Sequence, residues 1–351
     1  MSLFQGIDQY NRSCKYLSEV CTPVTQPLWT TPNTIKLELK NVILREFSTG
    51  KSGNAIFIIP PQAGHHSSIA DYDTGQSLVE AALRSGAHSV YVAEWKTATP
   101  DRKNETIDSF IISMKECIQA IGSKVSLIGL CQGGWQSAIY TALYPEDVNS
   151  LVLAGAPIDF HAGNGMISRY AGLYPMTFFQ SMVAMGNGIL DGRFLLTGFK
   201  MLNPLERFYS DYVNLYLNLH DEAYMGRFRK FREWYEYTLN LPGAFYLQVV
   251  RELFKENNLI HGRVKILGRQ VDLKRIENPL ILVAGDKDEI TPEAQLFNME
   301  NFVSSKEITK LIVPAGHIGV FMSKKVVEKH WPGIFEAVRA RSCEAIGEQA
   351  A

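Results

Sequence analysis

Apolar residues along this chain fall into short runs separated by helical patterns. Residues 55–59, 125–130 and 280–284 are almost unbroken apolar stretches, the pattern of strands buried on both faces. Residues 90–94, 151–154 and 310–313 read as further strands, and residues 35–47 alternate about Lys40-Asn41 as a β-hairpin, followed by a turn at 51–54. Helical spacing fills the intervals: residues 73–85, with Leu78, Val79, Ala82 and Leu83 on one face and Gly86 as the stop, then 107–121, 135–143 and 326–340. Strand–helix alternation of this kind predicts an α/β fold built on a mostly parallel, doubly wound sheet. Between residues 160 and 276 the alternation stops, and Met, Phe, Tyr and Leu recur at helical spacing. The expected organisation is an N-terminal helical segment (1–34), an α/β core in two pieces (35–159 and 277–351) and an inserted helical cap (160–276).

Composition narrows the classes. The chain has 351 residues, of which 46% are hydrophobic, enough for a buried core and too many for a disordered tail protein. Lys and Arg number 35 against 36 Asp and Glu, so no global field favours a nucleic-acid partner. The most apolar long stretch, 171–202, is interrupted by Gln180, Asn187, Asp191 and Arg193, and no transmembrane segment or signal peptide is expected. Cys14, Cys21, Cys117, Cys131 and Cys343 form no CxxC pair, which argues against zinc and a disulfide framework and for reduced thiols in a cytoplasm.

One of those cysteines stands in a reactive context. Gly129-Leu130-Cys131-Gln132-Gly133-Gly134 follows the apolar run 125–130 and precedes a helix pattern, as in a nucleophile elbow with Cys in place of Ser. Such a turn strains the nucleophile's backbone and needs small flanking residues. The peptide N–H of Gln132 would face a developing oxyanion, and the helix N-terminus would favour a thiolate at Cys131. The alternative is a buried structural cysteine, the reading given to the other four.

An α/β-hydrolase fold requires the acid next in the chain and the histidine last. Strand 280–284 is followed by Gly285-Asp286-Lys287-Asp288-Glu289, where Asp288 is the first choice for the acid and Asp286 the second. Strand 310–313 is followed by Pro314-Ala315-Gly316-His317, and His317 sits where a general base belongs. The loop after residue 59 should supply a second oxyanion N–H, from Gln62 or Ala63. His65 could contact substrate, although the pair His65-His66 reads equally well as solvent-facing. No set of ligands has metal spacing, and no Walker or Rossmann loop occurs, so neither a metal nor a cofactor is expected.

These residues resemble the polyhydroxyalkanoate synthase superfamily, which includes intracellular polyhydroxybutyrate depolymerases. The box around Cys131 is similar to that of short, class III synthases, as are Tyr144-Pro145-Glu146-Asp147-Val148, Pro157-Ile158-Asp159-Phe160, Tyr212-Val213-Asn214-Leu215, Asn257-Asn258-Leu259, Gly268-Arg269-Gln270-Val271-Asp272-Leu273 and Gly316-His317-Ile318-Gly319-Val320. The resemblance covers roughly residues 75–340. Pro61-Gln62-Ala63-Gly64-His65 is closer to the depolymerase loop, whereas Gly133 stands where depolymerases have Pro, and Glu289 follows Asp288 where synthases have His. The resemblance implies acyl transfer from 3-hydroxyacyl-CoA through a Cys131 acyl-enzyme, or hydrolysis of a polyester or thioester by the same triad. It leaves open a second subunit or a homodimer, and granule association of a cytoplasmic protein. A scaffold protein that kept the fold without the chemistry is the non-enzymatic alternative.

The cap admits two readings. Tyr170, Tyr174, Phe178, Phe179, Met182, Met185, Phe194, Phe199 and Met201 would pack a helical core or line an apolar channel for an acyl chain. Arg227, Arg229, Lys230 and Arg232 alternate with Phe228, Phe231, Trp234 and Tyr235. They fit the solvated face of an amphipathic helix better than a contact with a coenzyme A phosphate or a nucleic acid.

Overall fold

The structure, a computed structural model, describes residues 3–48 and 55–349, with side chains described over 8–48 and 55–340. The turn expected at 51–54 and the side chain of Cys343 lie outside the described residues. Among the described residues eight strands form the main sheet: β1 (Thr34–Glu38), β2 (Val42–Glu46), β3 (Ala55–Ile59), β4 (Ser89–Trp95), β5 (Val125–Leu130), β6 (Val148–Ala154), β7 (Leu280–Gly285) and β8 (Ile308–Val313). Their spatial order is β1-β2-β4-β3-β5-β6-β7-β8. The hairpin β1–β2 joins antiparallel to β4, and every pairing from β4 to β8 is parallel. The chain reverses its direction of travel across the sheet around β3 and β5, the switch point where such sheets place their sites.

Burial explains the runs. Every residue of β3, β5 and β7 is buried, because helices cover both faces, whereas the edge strand β8 is mostly half-buried or exposed. The first helix, α1 (Leu3–Cys21), is followed by the helices that cover the sheet in the first half, α2 (Leu78–Arg84), α3 (Ile107–Ile121) and α4 (Gln132–Leu143). Helix α2 begins later than the expected residue 73. Gly75 has φ +73°, incompatible with a helix, and the Ser77 hydroxyl caps the new start by accepting from the Glu80 N–H at 2.9 Å.

The inserted segment contributes α5 (Met166–Leu173), α6 (Met176–Met185), α7 (Gly192–Lys200), α8 (Asp211–Leu217), α9 (Glu222–Glu236) and α10 (Gly243–Gln248). Ile189–Leu190 and Leu241–Pro242 pair as a two-residue ladder that pins this layer together. Phe245 of α10 packs against Phe110 and Trp135 of the core, with ring centroids 4.7 Å and 6.3 Å apart. Helix α1 lies on α8 and α9: Arg12 donates to the Tyr216 carbonyl at 2.9 Å, and Arg229 pairs with Glu19. The strap after α1 is fixed to the core, where the Thr31 N–H and hydroxyl donate to buried Asp71 at 2.7 and 2.8 Å.

The chain closes with α11 (Glu293–Phe297), α12 (Gly319–Met322), α13 (Lys324–Lys329) and α14 (Trp331–Gln349). The single helix expected over 326–340 is thus two, broken at His330. Pro332, which can neither donate an N–H nor follow a helical turn, sits in the first turn of α14, where that donor is not needed. Among the described residues no helix is long and apolar enough to cross a membrane.

Candidate active site

Strand β5 ends at Leu130, helix α4 begins at Gln132, and Cys131 alone makes the turn. Its backbone is left-handed, φ +49° and ψ −117°, a conformation costly for a side-chain-bearing residue. Two hydrogen bonds hold it there: the Cys131 N–H donates to the Ala154 carbonyl and the Gly134 N–H to the Cys131 carbonyl, each at 2.9 Å. The flanking glycines answer a steric demand. A Cβ on Gly129 would stand 2.5 Å from Gly134 Cα, and one on Gly133 would stand 2.0 Å from the Ile59 carbonyl oxygen. The result is a half-buried thiol at the N-terminus of α4.

His317 and Asp288 come together from the loops after β8 and β7. His317 Nδ1 and Asp288 Oδ2 are 2.8 Å apart, with the carboxylate fully buried and the imidazole nearly so. Asp288 is oriented from its other oxygen, which accepts the N–H groups of Ile290 and Thr291 at 3.0 and 2.8 Å. Asp286, two residues earlier, is exposed. Burial pushes the His317 pKa down, but the charge of Asp288 and the Cys131 sulfur, with hydrogen bonds to both, reverse that and carry it well above 6.5. Gly155, just beyond β6, closes the group: a Cβ there would lie 3.5 Å from His317 Cε1 and 3.6 Å from Asp288 Oδ2. Nothing in the local sequence around Gly155 singled it out.

The loop after β3 runs alongside the elbow, as the contact of Gly133 with Ile59 and Pro60 requires. Gln62 and Ala63 are both buried on it, and Gln132 is half-buried at the start of α4. The histidine pair is not solvent-facing, which corrects one of the two readings given to it. His65 is 8% exposed, with Trp234, Tyr235 and Phe199 around its ring at centroid distances of 5.0, 5.2 and 5.3 Å. Burial lowers its pKa to about 4, so it is a neutral ring at physiological pH, opposed only by a hydrogen bond to the Tyr235 backbone. His66 Nδ1 accepts from the Ser68 N–H, which leaves Nε2 to donate to Glu94 Oε1 at 3.2 Å, and Arg45 joins the same carboxylate. Cap residues 134 to 170 positions away in the chain supply the cover over His65, a contact no local pattern reveals.

The remaining candidates separate cleanly. Cys117 is buried and its thiol is pushed up to about 12 by desolvation, and Cys14 and Cys21 are exposed on α1. On α9, Arg229 is paired with Glu19, Lys230 with Asp73 and Arg232 with Glu236, while Arg227 is exposed. Among the described residues no three His, Cys, Asp or Glu side chains group as a metal site.

Comparisons with known proteins agree with this architecture. A family profile described as "Protein of unknown function (DUF3141)" matches residues 37–344. A protein of Haloferax mediterranei called "Poly(3-hydroxyalkanoate) polymerase subunit PhaC" is 26% identical over 280 residues, which cover 78% of this chain and 56% of that one. The chain therefore spans little more than half the length of that relative. A protein of the same name from Synechocystis sp. is 29% identical over 277 residues, 76% of this chain and 72% of the relative. Among solved structures, the monoacylglycerol lipase of Paleococcus ferrophilus superposes with a TM-score of 0.55 at 16% identity, covering 86% of this chain and 99% of the lipase. The shared fold is that of the α/β-hydrolases.

Proposed function

This chain belongs to the DUF3141 family, and we propose that it is a cysteine-nucleophile acyltransferase acting on 3-hydroxyacyl thioesters, with Cys131, His317 and Asp288 as its triad. The observation that carries the reading is the 2.8 Å bond between His317 Nδ1 and buried Asp288, beside a cysteine held in a left-handed turn at a helix N-terminus. In the proposed sequence, Cys131 Sγ attacks the thioester carbonyl and the oxyanion accepts hydrogen bonds from the peptide N–H of Gln132 and from that of Gln62 or Ala63. The carbon–sulfur bond to the leaving thiol breaks, and the His317 imidazolium returns a proton to it. A second hydroxyacyl group then gives its hydroxyl proton to His317, its oxygen attacks the acyl-cysteine, and Cys131 leaves as thiolate. Asp288 holds the ring and favours its charged form throughout.

Similarity to the two proteins called polymerase subunits supports transfer to a hydroxyl in preference to transfer to water. The loop Pro61-Gln62-Ala63-Gly64-His65 favours the second reading, hydrolysis of 3-hydroxyacyl esters by the same triad. Incubation with 3-hydroxybutyryl-CoA separates them. Release of CoA with insoluble polymer supports the transferase, release with free 3-hydroxybutyrate alone moves the protein to the hydrolases, and no CoA release overturns both.

A further inference from the structure

Gly133 and Gln136 stand three residues apart on α4 and share one face. That face fronts the loop after β3. Gly133 approaches the Ile59 and Pro60 carbonyls so closely that an added Cβ would lie 2.0 Å from one oxygen and 2.9 Å from the other. One turn further on, Gln136 Nε2 donates to Gln62 Oε1 at 3.4 Å. Both amides are buried, Gln136 completely and Gln62 to 4% exposure. Gln136 Oε1 finds no protein partner among the described residues. A buried amide with half its hydrogen-bonding capacity unmet is a poor packing residue, since an apolar side chain of the same volume would fill the site without desolvating an amide. The bond it does make is to the loop that packs against the elbow at Ile59 and Pro60, the latter two residues before Gln62.

We propose that Gln136 is a positioning residue: by gripping the Gln62 side chain it fixes the peptide planes of Gln62 and Ala63, so that one N–H converges with that of Gln132 on the acyl oxygen. This inference rests on the reading of Cys131 as nucleophile. It differs from a packing role in what it predicts. A donor displaced from the oxyanion weakens the transition state and leaves ground-state binding alone, so kcat falls with KM unchanged.

The test uses Gln136→Met, which keeps length and volume and removes the donor, with Gln62→Met and the double variant. Expected with 3-hydroxybutyryl-CoA is a fall in kcat of roughly tenfold or more for each single variant, KM within about twofold, and a double variant no slower than the singles. Alkylation of Cys131 by iodoacetamide, which needs no oxyanion donor, should keep its wild-type rate. Amide hydrogen exchange at residues 62 and 63 should quicken in Gln136→Met, a readout independent of any turnover. Unchanged kcat, effects of the two singles that multiply, or unchanged exchange at 62 and 63 would overturn the proposal. Failure of the underlying reading looks different: Cys131→Ala would leave turnover intact, and Cys131 in the unaltered protein would alkylate no faster than Cys14. Should Gln136→Met not fold, Gln62→Asn withdraws the acceptor by one methylene and carries the same expectations.

Discussion

The layer holding β5, β7 and the elbow differs from the cap laid over it in how each spends its apolar residues. In β5 and β7 every position is buried, and Gly129 and Gly133, two residues before and after Cys131, sit in contacts that leave no room for a methyl group. In the cap, α5 buries only Ala171, and Leu173, Met185 and Leu205 remain 74%, 66% and 78% exposed. Both regions are apolar in composition, yet the cap leaves more of its large apolar side chains in solvent than the strands do. We read the difference as two tasks: close contacts in the core fix the loops that carry Cys131, Asp288 and His317, and the cap leaves part of its apolar surface open.

That contrast can be broken most decisively at the thiol. Replacing Cys131 by Ala should cut turnover of 3-hydroxybutyryl-CoA by at least ~10⁴-fold with little change in thermal stability, since a triad acts as a unit. Activity surviving in that variant would move the chemistry out of the core. Asp288→Asn should reduce kcat by roughly 10² to 10⁴-fold, because the ring loses its orienting charge while keeping its position. It should also shift His317. With Asp288 present the imidazole titrates above 6.5, and without it burial prevails and the value falls, which NMR of the ring protons reads directly. The sign for stability follows. A raised histidine pKa stabilises the fold fully below about pH 6.5, and the gain disappears as pH rises through the folded-state value. The urea-midpoint advantage of the unaltered protein over Asp288→Asn should therefore be larger near about pH 6 than near about pH 9.

Two smaller effects measure the packing difference itself. Leu127→Ala, in fully buried β5, should cost about 2–5 kcal/mol in urea unfolding, whereas Leu205→Ala, exposed in the cap, should stay within about 0.5 kcal/mol. Equal costs would mean that the cap is packed as a second core. A double-mutant cycle on Glu19 and Arg229, which tie α1 to α9, should give about 0.2–1 kcal/mol, reduced by added salt.

Much of the core was legible because burial on both faces writes itself into the chain as unbroken apolar runs. Residues 55–59 and 125–130 coincide with observed strands, and Gly-x-Cys-x-Gly after the second of them announced the elbow. Helix boundaries were less legible where a glycine or proline intervened, as at Gly75 and Pro332. Asp288 was ranked ahead of Asp286 in sequence by its place before the Ile-Thr-Pro exit, but both lie on one acidic loop and their orientation could not be read there. Orientation distinguishes them, one exposed and the other receiving two backbone N–H groups and His317. The sequence left a solvent-facing His65-His66 pair as an even alternative, which fails because their cover comes from the cap and from Glu94.

By itself, the sequence determined the alternation of strands and helices, the position of a cysteine at a strand-to-helix turn, and the order of acid and histidine after it. These follow from local rules, since hydrophobic periodicity, turn residues and chain order act over a few neighbours. Tertiary structure alone decided how Asp288 meets His317, that Gly155 sits beside that pair with a positive φ, and that Gln136 reaches Gln62 across 74 residues. Such contacts depend on distances and desolvation between elements remote in the chain, and neither quantity exists until the sheet has brought its loops to one edge.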